Sequence, residues 1–254
     1  MAAWNESEVA SIPDTEGFWL EHVKKAMAAD LERCEGMNLT IAVPCVGMLG
    51  GHAVTKALGI STKYCNMHDT EERYRPYLSS LIGDSATALH IGDSGDMTKV
   101  DLVDVQGADC LMAGPPCPPW AGNGSKAGCS DSRSEVFSTT VQWLVHMKRS
   151  LSLKAFCLEN VTGIKKQYGG KEALGTFILR RMQEEFPDMH IDMQTLCAKD
   201  CGLALKRNRV LFRGQLRSLG PLPEVLKPWP KKHLKEFLSK SLPHLDSDEL
   251  GRSI

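Results

Sequence analysis

Residues 39–58 read LTIAVPCVGMLGGHAVTKAL, and this stretch decides the fold class. The first five residues, Leu39 to Val43, are mostly apolar, as expected of a buried strand. Glycines 47, 50 and 51 then predict a turn, and the residues up to Leu58 continue as a helix. A strand, a glycine turn and a helix in this order are the opening of a Rossmann-like unit.

The alternation of strands and helices continues along the chain. The apolar pattern predicts further strands at residues 62–67, 110–113, 155–158, 194–197 and 209–213, and helices at 18–34, 71–81, 134–149 and 171–186. Strands separated by helices predict an α/β fold whose sheet is mainly parallel, with helices on both faces. Functional residues in such folds lie beyond the carboxyl ends of the strands.

Composition limits the compartment and the partners. The 254 residues include 30 basic and 31 acidic side chains, for a net charge of −1, so general attraction to nucleic acid should be weak. The nine cysteines are scattered, odd in number and form no CxxC pair. They predict free thiols in an intracellular protein, nuclear or cytoplasmic, without a structural zinc site. No signal peptide and no apolar run of membrane-spanning length is found.

The chain divides into three predicted regions. Residues 1–16 are polar and should form a loose N-terminus, and residues 17–218 carry the strand and helix pattern of one domain. Residues 219–254 are rich in proline and lysine, which is typical of a tail or linker.

One loop is the most informative segment for chemistry, Gly114-Pro-Pro-Cys-Pro-Pro-Trp-Ala-Gly-Asn-Gly124. Proline pairs on both sides of Cys117 favour an extended backbone, and the glycines that follow allow the loop to swing. Taken alone, the segment is more simply interpreted as a structural proline-rich turn with an incidental cysteine.

Three ordered motifs together resemble the cytosine-5 DNA methyltransferases. The segment from Gly114 to Phe137 resembles their catalytic loop, in which Pro-Cys supplies the nucleophile. Leu158-Glu-Asn-Val161 is similar to their Glu-Asn-Val motif. Gly202-Leu-Ala-Leu-Lys-Arg-Asn-Arg-Val210 matches their Gly-x-Pro-Gln-x-Arg-x-Arg-Val motif at the glycine, both arginines and the valine. The resemblance covers residues 39–215, and three motifs in order are far more specific than one.

The resemblance implies a Rossmann-like, S-adenosylmethionine-dependent methyltransferase fold and four catalytic residues. Cys117 would add to carbon 6 of cytosine, so that carbon 5 can attack the methyl group. Glu159 would contact N3 and the exocyclic amine of the base. Arg207 and Arg209 would bind the base carbonyl or order the loop. The target base must leave the DNA stack to reach such a pocket, which implies base flipping.

The resemblance also implies that S-adenosylmethionine is the cofactor. Residues that match or replace the family's cofactor-binding positions are Gly47, Leu49, Gly50, Gly51, Met67, His68, Asp96, Met97, Gly114 and Pro116. Among them, His68 would stack on adenine and Asp96 would contact the adenine amino group.

Three positions depart from the family pattern. Met67 occupies the position of the acid that usually holds the cofactor's ribose hydroxyls, and Val46 falls near the usual adenine-contacting phenylalanine. Leu205 replaces the usual glutamine of the third motif. These changes are expected to weaken cofactor binding and support of the base pocket.

The implied substrate is DNA, although the same residues would also serve an RNA cytosine-5 methyltransferase. Neither a target recognition domain nor the family's closing motif is found in the sequence, so a second polypeptide is a possible partner and the chain alone is expected to be weakly active. The alternative from a different functional class is a catalytically silent scaffold protein with the same fold. A dinucleotide-dependent oxidoreductase is disfavoured, because the turn lacks GxGxxG and residue 67 is not acidic.

Overall fold

The computed structural model describes residues 36–47, 49–82, 89–116, 134–151, 153–167, 172–201 and 206–224. The described strands are β1 (Asn38–Ala42), β2 (Ser61–Cys65), β3 (Met67–Asp69), β4 (Leu89–Ile91), β5 (Cys110–Ala113), β6 (Ala155–Val161), β7 (Met189–Cys197) and β8 (Asn208–Leu216). The described α-helices are α1 (Gly50–Ala57), α2 (Arg75–Ile82), α3 (Ser134–Ser150) and α4 (Leu174–Glu185). The predicted helix at residues 18–34, Cys117 and most of the predicted tail lie outside the described residues.

Six strands form the main sheet, in the order β2-β1-β5-β6-β8-β7. β1 is parallel to β2 and to β5, and β5 is parallel to β6. β8 runs antiparallel to both of its neighbours, β6 and β7. The predicted α/β fold with a mainly parallel sheet is therefore confirmed, and its antiparallel end is a feature that the apolar pattern did not indicate.

Both faces of this sheet are covered, as the alternation of side chains along each strand requires. Ala42, Leu111 and Phe156 belong to one hydrophobic cluster, which also contains Trp143 and Leu144 of α3. Ile41, next to Ala42, belongs to a second cluster with Tyr64 of β2 and with Leu78 and Ile82 of α2. Successive residues of β1 thus point into different clusters, and helices lie on both faces as predicted.

The single strand predicted at residues 62–67 is instead two strands separated by Asn66. Asn66 has a φ of 50°, in the left-handed region. Its side-chain amide donates to the carbonyl of Gln106 at 2.7 Å and accepts from the Gln106 backbone N–H at 2.9 Å. The break sends β3 away from the main sheet, where it pairs in parallel with β4 in a separate two-stranded sheet.

α3 shows why the helix prediction at residues 134–149 holds. It buries Phe137, Thr140, Trp143, Leu144 and Met147, a set whose spacings of three and four residues place it on one helix face. None of the described helices is long and apolar enough to cross a membrane.

Candidate functional site

Two adjoining cavities lie at the carboxyl ends of β1, β5 and β6. The smaller cavity, of about 170 Å³, is lined by Pro44, Cys45, Gly47, His68, Asp69, Thr70, Gly95, Asp96, Met97, Gly114, Pro116 and Val136. The larger cavity, of about 560 Å³, is lined by Ile41, Val43, Cys45, Val46, Gly47, Leu49, Gly51, Tyr64, Met112, Ala113, Gly114, Cys157, Glu159 and Arg207. Cys45, Gly47 and Gly114 line both, so the cavities share a wall.

The turn after β1 forms that shared wall. Gly47 has a φ of 47° and Leu49 a φ of 49°, a region that a leucine rarely adopts because of its Cβ. Local hydrogen bonds hold the turn, from Leu49 N–H to the Val46 carbonyl and from His52 N–H to the Leu49 carbonyl, both at 2.9 Å. Gly47 therefore lines both cavities, Leu49 and Gly51 line the larger one, and Gly50 begins α1.

The turn that carries Asp96 is packed closely against β3 and β4. A Cβ at Gly95 would lie 2.0 Å from the carbonyl oxygen of Asp69 and 2.8 Å from that of His90, so only glycine fits. Asp96 accepts hydrogen bonds from the hydroxyl of Thr98 at 2.7 Å and from its backbone N–H at 3.1 Å. These bonds, with the ammonium group of Lys99 at 3.1 Å, hold the pKa of Asp96 below its usual range.

His68 forms an aromatic wall of the smaller cavity. Its ring stacks on His90 at 4.7 Å and meets the edge of Trp143 at 5.3 Å. Burial, together with the proximity of His90, lowers the pKa of His68 to about 4, so the imidazole is neutral at pH 7. Its Nδ1 atom is buried and makes no hydrogen bond with the described residues.

Met67 is placed differently from the other predicted cofactor-binding residues. Its side chain is 0% exposed and packs in the second hydrophobic cluster, with Tyr64 and Leu78. It lines neither cavity. The physical reason is the break at Asn66, which starts β3 at Met67 and leaves that side chain against the core.

Glu159 and Arg207 line the larger cavity, and Arg209 reaches Glu159 from β8. In the β6–β8 ladder Val161 stands opposite Arg209 and Glu159 opposite Leu211, so Arg209 and Glu159 are diagonal neighbours on one face. The guanidinium Nε of Arg209 forms an ion pair with Oε1 of Glu159. Arg209 lines neither cavity itself, but it fixes the carboxylate that does.

The remaining predicted residues belong to the segment after β5. Gly114 lines both cavities, and Met97 and Pro116 line the smaller one. Pro116 directly precedes Cys117, which lies outside the described residues. Burial raises the pKa of the Cys45 thiol to about 12, that of Cys65 to about 11 and that of Cys110 to about 12.

Sequence reasoning missed several residues that border the cavities, among them Cys45, Tyr64 and Asp69. The signal for Asp69 was available, because an acidic residue two positions after Met67 belongs to the same side of a strand. Among the described residues, no group of three or more His, Cys, Asp or Glu side chains could hold a metal ion.

Comparison with known proteins identifies the family of this chain. The model of the C-5 cytosine-specific DNA methylases matches residues 86–250, more than half of the chain. The chain belongs to this family. The resemblance that the three motifs indicated is therefore confirmed.

The relatives of this chain align with it over only part of their own length. The Type II methyltransferase M.NlaIV of Neisseria lactamica is 32% identical over 59% of this chain and 34% of its own length. M1.ScrFI of Lactococcus lactis subsp. cremoris is 32% identical over 61% of this chain and 39% of its own length. The chain thus spans little more than a third of these relatives.

A solved structure supports the fold of this methylase chain. An Escherichia coli prophage protein assigned as a DNA modification methyltransferase superposes with a TM-score of 0.53 and 20% sequence identity. The superposition covers 80% of this chain and 54% of the prophage protein.

Proposed function

We propose that this methylase chain transfers a methyl group from S-adenosylmethionine to carbon 5 of cytosine in DNA. The observation that carries the proposal is the pairing of two adjoining cavities. One presents Asp69, Asp96 and His68, and the other presents Glu159 and Arg207. A cofactor and a flipped base can meet across the shared wall formed by Cys45, Gly47 and Gly114.

The smaller cavity fits the cofactor in charge and in hydrogen bonding. Two carboxylates, Asp69 and Asp96, line it, and none of its described lining residues is a lysine or an arginine. The adenine amino group and the ribose hydroxyls are hydrogen-bond donors, which carboxylates accept well. The neutral, partly stacked imidazole of His68 presents no positive charge to the sulfonium ion. When bound, S-adenosylmethionine supplies an electrophilic methyl group.

The larger cavity is suited to activate the base. We assign the nucleophile to Cys117, whose thiolate would form a bond to carbon 6 while the electron pair of the C5–C6 double bond moves towards N3. Carbon 5 would then take the methyl group as the bond between that group and the cofactor's sulfur breaks, which leaves a neutral thioether. Loss of the carbon-5 proton to a base would re-form the C5–C6 double bond and release the thiolate from carbon 6. Glu159, held by Arg209, would bind N3 and the exocyclic amine, and Arg207 would bind the base carbonyl.

The thiols that the structure describes support this assignment of the nucleophile. Burial raises the pKa values of Cys45, Cys65, Cys110 and Cys157, and a thiol with a raised pKa is a poor nucleophile at neutral pH. Cys45 alone of these four borders both cavities, and its pKa is raised to about 12. None of these four buried thiols therefore competes with Cys117, which the family motif indicates as the nucleophile.

DNA is the proposed substrate, and its backbone would lie along a basic edge. This edge is formed by the exposed residues Lys165 and Lys166, which follow β6, and Lys199, Lys206 and Arg207, which lie between β7 and β8. Its Arg207 lines the larger cavity. Such side chains neutralise phosphates.

The proposal has three finer parts. A second polypeptide supplies target recognition, RNA is the alternative substrate, and the protein is intracellular. The location is supported by free thiols at all six described cysteines.

A covalent trapping experiment tests the function. A duplex that contains 5-fluorocytosine is incubated with S-adenosylmethionine and the chain, with and without a recognition subunit. The fluorine on carbon 5 cannot leave as a proton does, so the adduct persists. Cys117→Ser should abolish trapping and Cys129→Ser should preserve it. Equal trapping by both variants would refute the assignment, and the same assay with an RNA duplex tests the alternative substrate.

A further inference from the structure

We infer that Asp69 binds the ribose hydroxyls of the cofactor in this chain, in place of an acid at position 67. The inference rests on the proposed function, because it concerns the cofactor of that reaction. Met67 offers only a weak thioether acceptor and is fully buried in the second hydrophobic cluster. Asp69, two residues further along β3, lines the smaller cavity.

The carboxylate of Asp69 is fixed by two backbone donors and keeps acceptor capacity. Its Oδ2 accepts from the N–H of Gly47 at 2.9 Å, and its Oδ1 accepts from the N–H of Glu71 at 2.9 Å. A carboxylate has about four acceptor sites, so about two remain for a pair of neighbouring hydroxyls. The group is also preorganised, because both of its backbone partners hold it at the cavity wall.

The other carboxylate of the smaller cavity is less available. Asp96 already accepts two hydrogen bonds from Thr98 on Oδ1 and binds Lys99 through Oδ2. Glu159 lines the larger cavity and is paired with Arg209. Among the described carboxylates that border the two cavities, Asp69 is thus the one whose partners are both uncharged backbone groups.

The test compares, by calorimetry, the affinities of two ligands for the wild-type 254-residue chain and for one variant. The probes are S-adenosylhomocysteine and its 2′,3′-dideoxy analogue, each titrated into the wild type and into Asp69→Asn. Wild type should lose affinity by about tenfold or more when the hydroxyls are removed. Asp69→Asn should bind S-adenosylhomocysteine about tenfold or more weakly, and the dideoxy analogue nearly as well as it binds the parent compound.

The matched control is Asp93→Asn, which changes an exposed acid in the neighbouring turn that lines neither cavity. It should behave as wild type with both probes. If Asp69 only fixes the Gly47 turn, Asp69→Asn will weaken both probes by the same factor and retain the full loss on removal of the hydroxyls. That additive result overturns the inference while leaving the proposed function standing.

Two further outcomes are decisive. Wild type that binds both probes equally well would overturn the inference, and wild type that binds neither would overturn the proposed function together with it. Thermal unfolding reports whether Asp69→Asn folds. If it does not, Asp69→Ser, which keeps one acceptor for a backbone N–H, is compared in the same way, with the same expected result.

Discussion

Strand register positions Glu159. Because Arg209 lies diagonally across the β6–β8 ladder, its guanidinium group pins the carboxylate at the larger cavity. Both side chains are partly exposed, at 22% and 38%, so the pair should contribute little to the free energy of unfolding. Its main effect is to orient a group that must contact the base.

We therefore expect Arg209→Ala to lower the rate of methyl transfer by up to about a hundredfold, since misplacing a catalytic group costs that much. The affinity for S-adenosylhomocysteine should stay within about twofold. Single-turnover transfer of a tritiated methyl group and calorimetry measure the two quantities. Arg213→Ala is the matched control, because Arg213 lies on β8 like Arg209 and pairs with Asp192 of β7, but lines neither cavity. Equal rate losses in both variants would contradict the positioning role.

His68 links the site to pH. Its pKa is lowered by burial to about 4 in the folded chain, against about 6.5 in the unfolded chain. Between these values the unfolded state binds the extra proton, so the stability contributed by neutral His68 is complete above pH 6.5 and is lost as pH falls towards 4. The free energy of unfolding in urea should fall less steeply between pH 6.5 and 4.5 in His68→Gln than in wild type. The difference between the two slopes should correspond to up to about one bound proton. Identical slopes would show that His68 is not buried as a neutral ring.

At the scale of elements, the turn from β4 to Asp96 depends on Gly95. A Cβ there would meet the carbonyl oxygens of Asp69 and His90, which are backbone atoms and cannot rotate away. Gly95→Ala should therefore destabilise the fold by about 1–3 kcal/mol and weaken binding of S-adenosylhomocysteine. Gly107→Ala is the control, because its Cβ would be at an ordinary 3.4 Å from the Leu151 carbonyl. Equal losses of unfolding free energy in the two variants, measured by chemical denaturation, would contradict the close approach.

The elements also show which parts of the fold the sequence could predict. β1, its turn, α1 and α3 follow local apolar patterns, and these were found within a few residues. β4 has three residues, Leu89–Ile91, which is too short for a period to be visible. The break at Asn66 depends on hydrogen bonds to Gln106, forty residues away in sequence. No local pattern contains that contact, so the inward placement of Met67 was missed.

The site residues divide in the same way. Gly114 directly follows β5, Glu159 lies near the carboxyl end of β6, and Arg207 directly precedes the antiparallel β8. An α/β fold brings such positions to one edge of the sheet. The partnership of Glu159 with Arg209 requires the antiparallel register of β6 and β8. That register is set by long-range pairing, and the sequence indicated both residues without indicating their contact.

At the scale of the whole molecule, a net charge of −1 hides a local asymmetry. The exposed basic residues of the basic edge follow β6 or lie between β7 and β8, whereas Asp69 and Asp96 line the smaller cavity. A chain of this kind can attract phosphates locally without binding nucleic acid over its entire surface. Because Arg207 belongs to the basic edge and lines the larger cavity together with Glu159, phosphates held at this edge would leave a flipped base close to Glu159.

This asymmetry predicts how the affinity for DNA depends on salt. The double variant Lys165→Glu and Lys166→Glu, which reverses two exposed charges of the basic edge, should weaken DNA binding. The slope of log affinity against log salt should fall by about 0.9 for each phosphate that the variant no longer neutralises. Lys56→Glu with Lys63→Glu changes net charge equally but lies on α1 and β2, so its slope should stay that of wild type. The measurement is fluorescence anisotropy of a labelled duplex between about 50 and 200 mM salt. Equal slopes for both double variants would mean that net charge alone governs the encounter, and the basic edge would then have no special role in holding DNA.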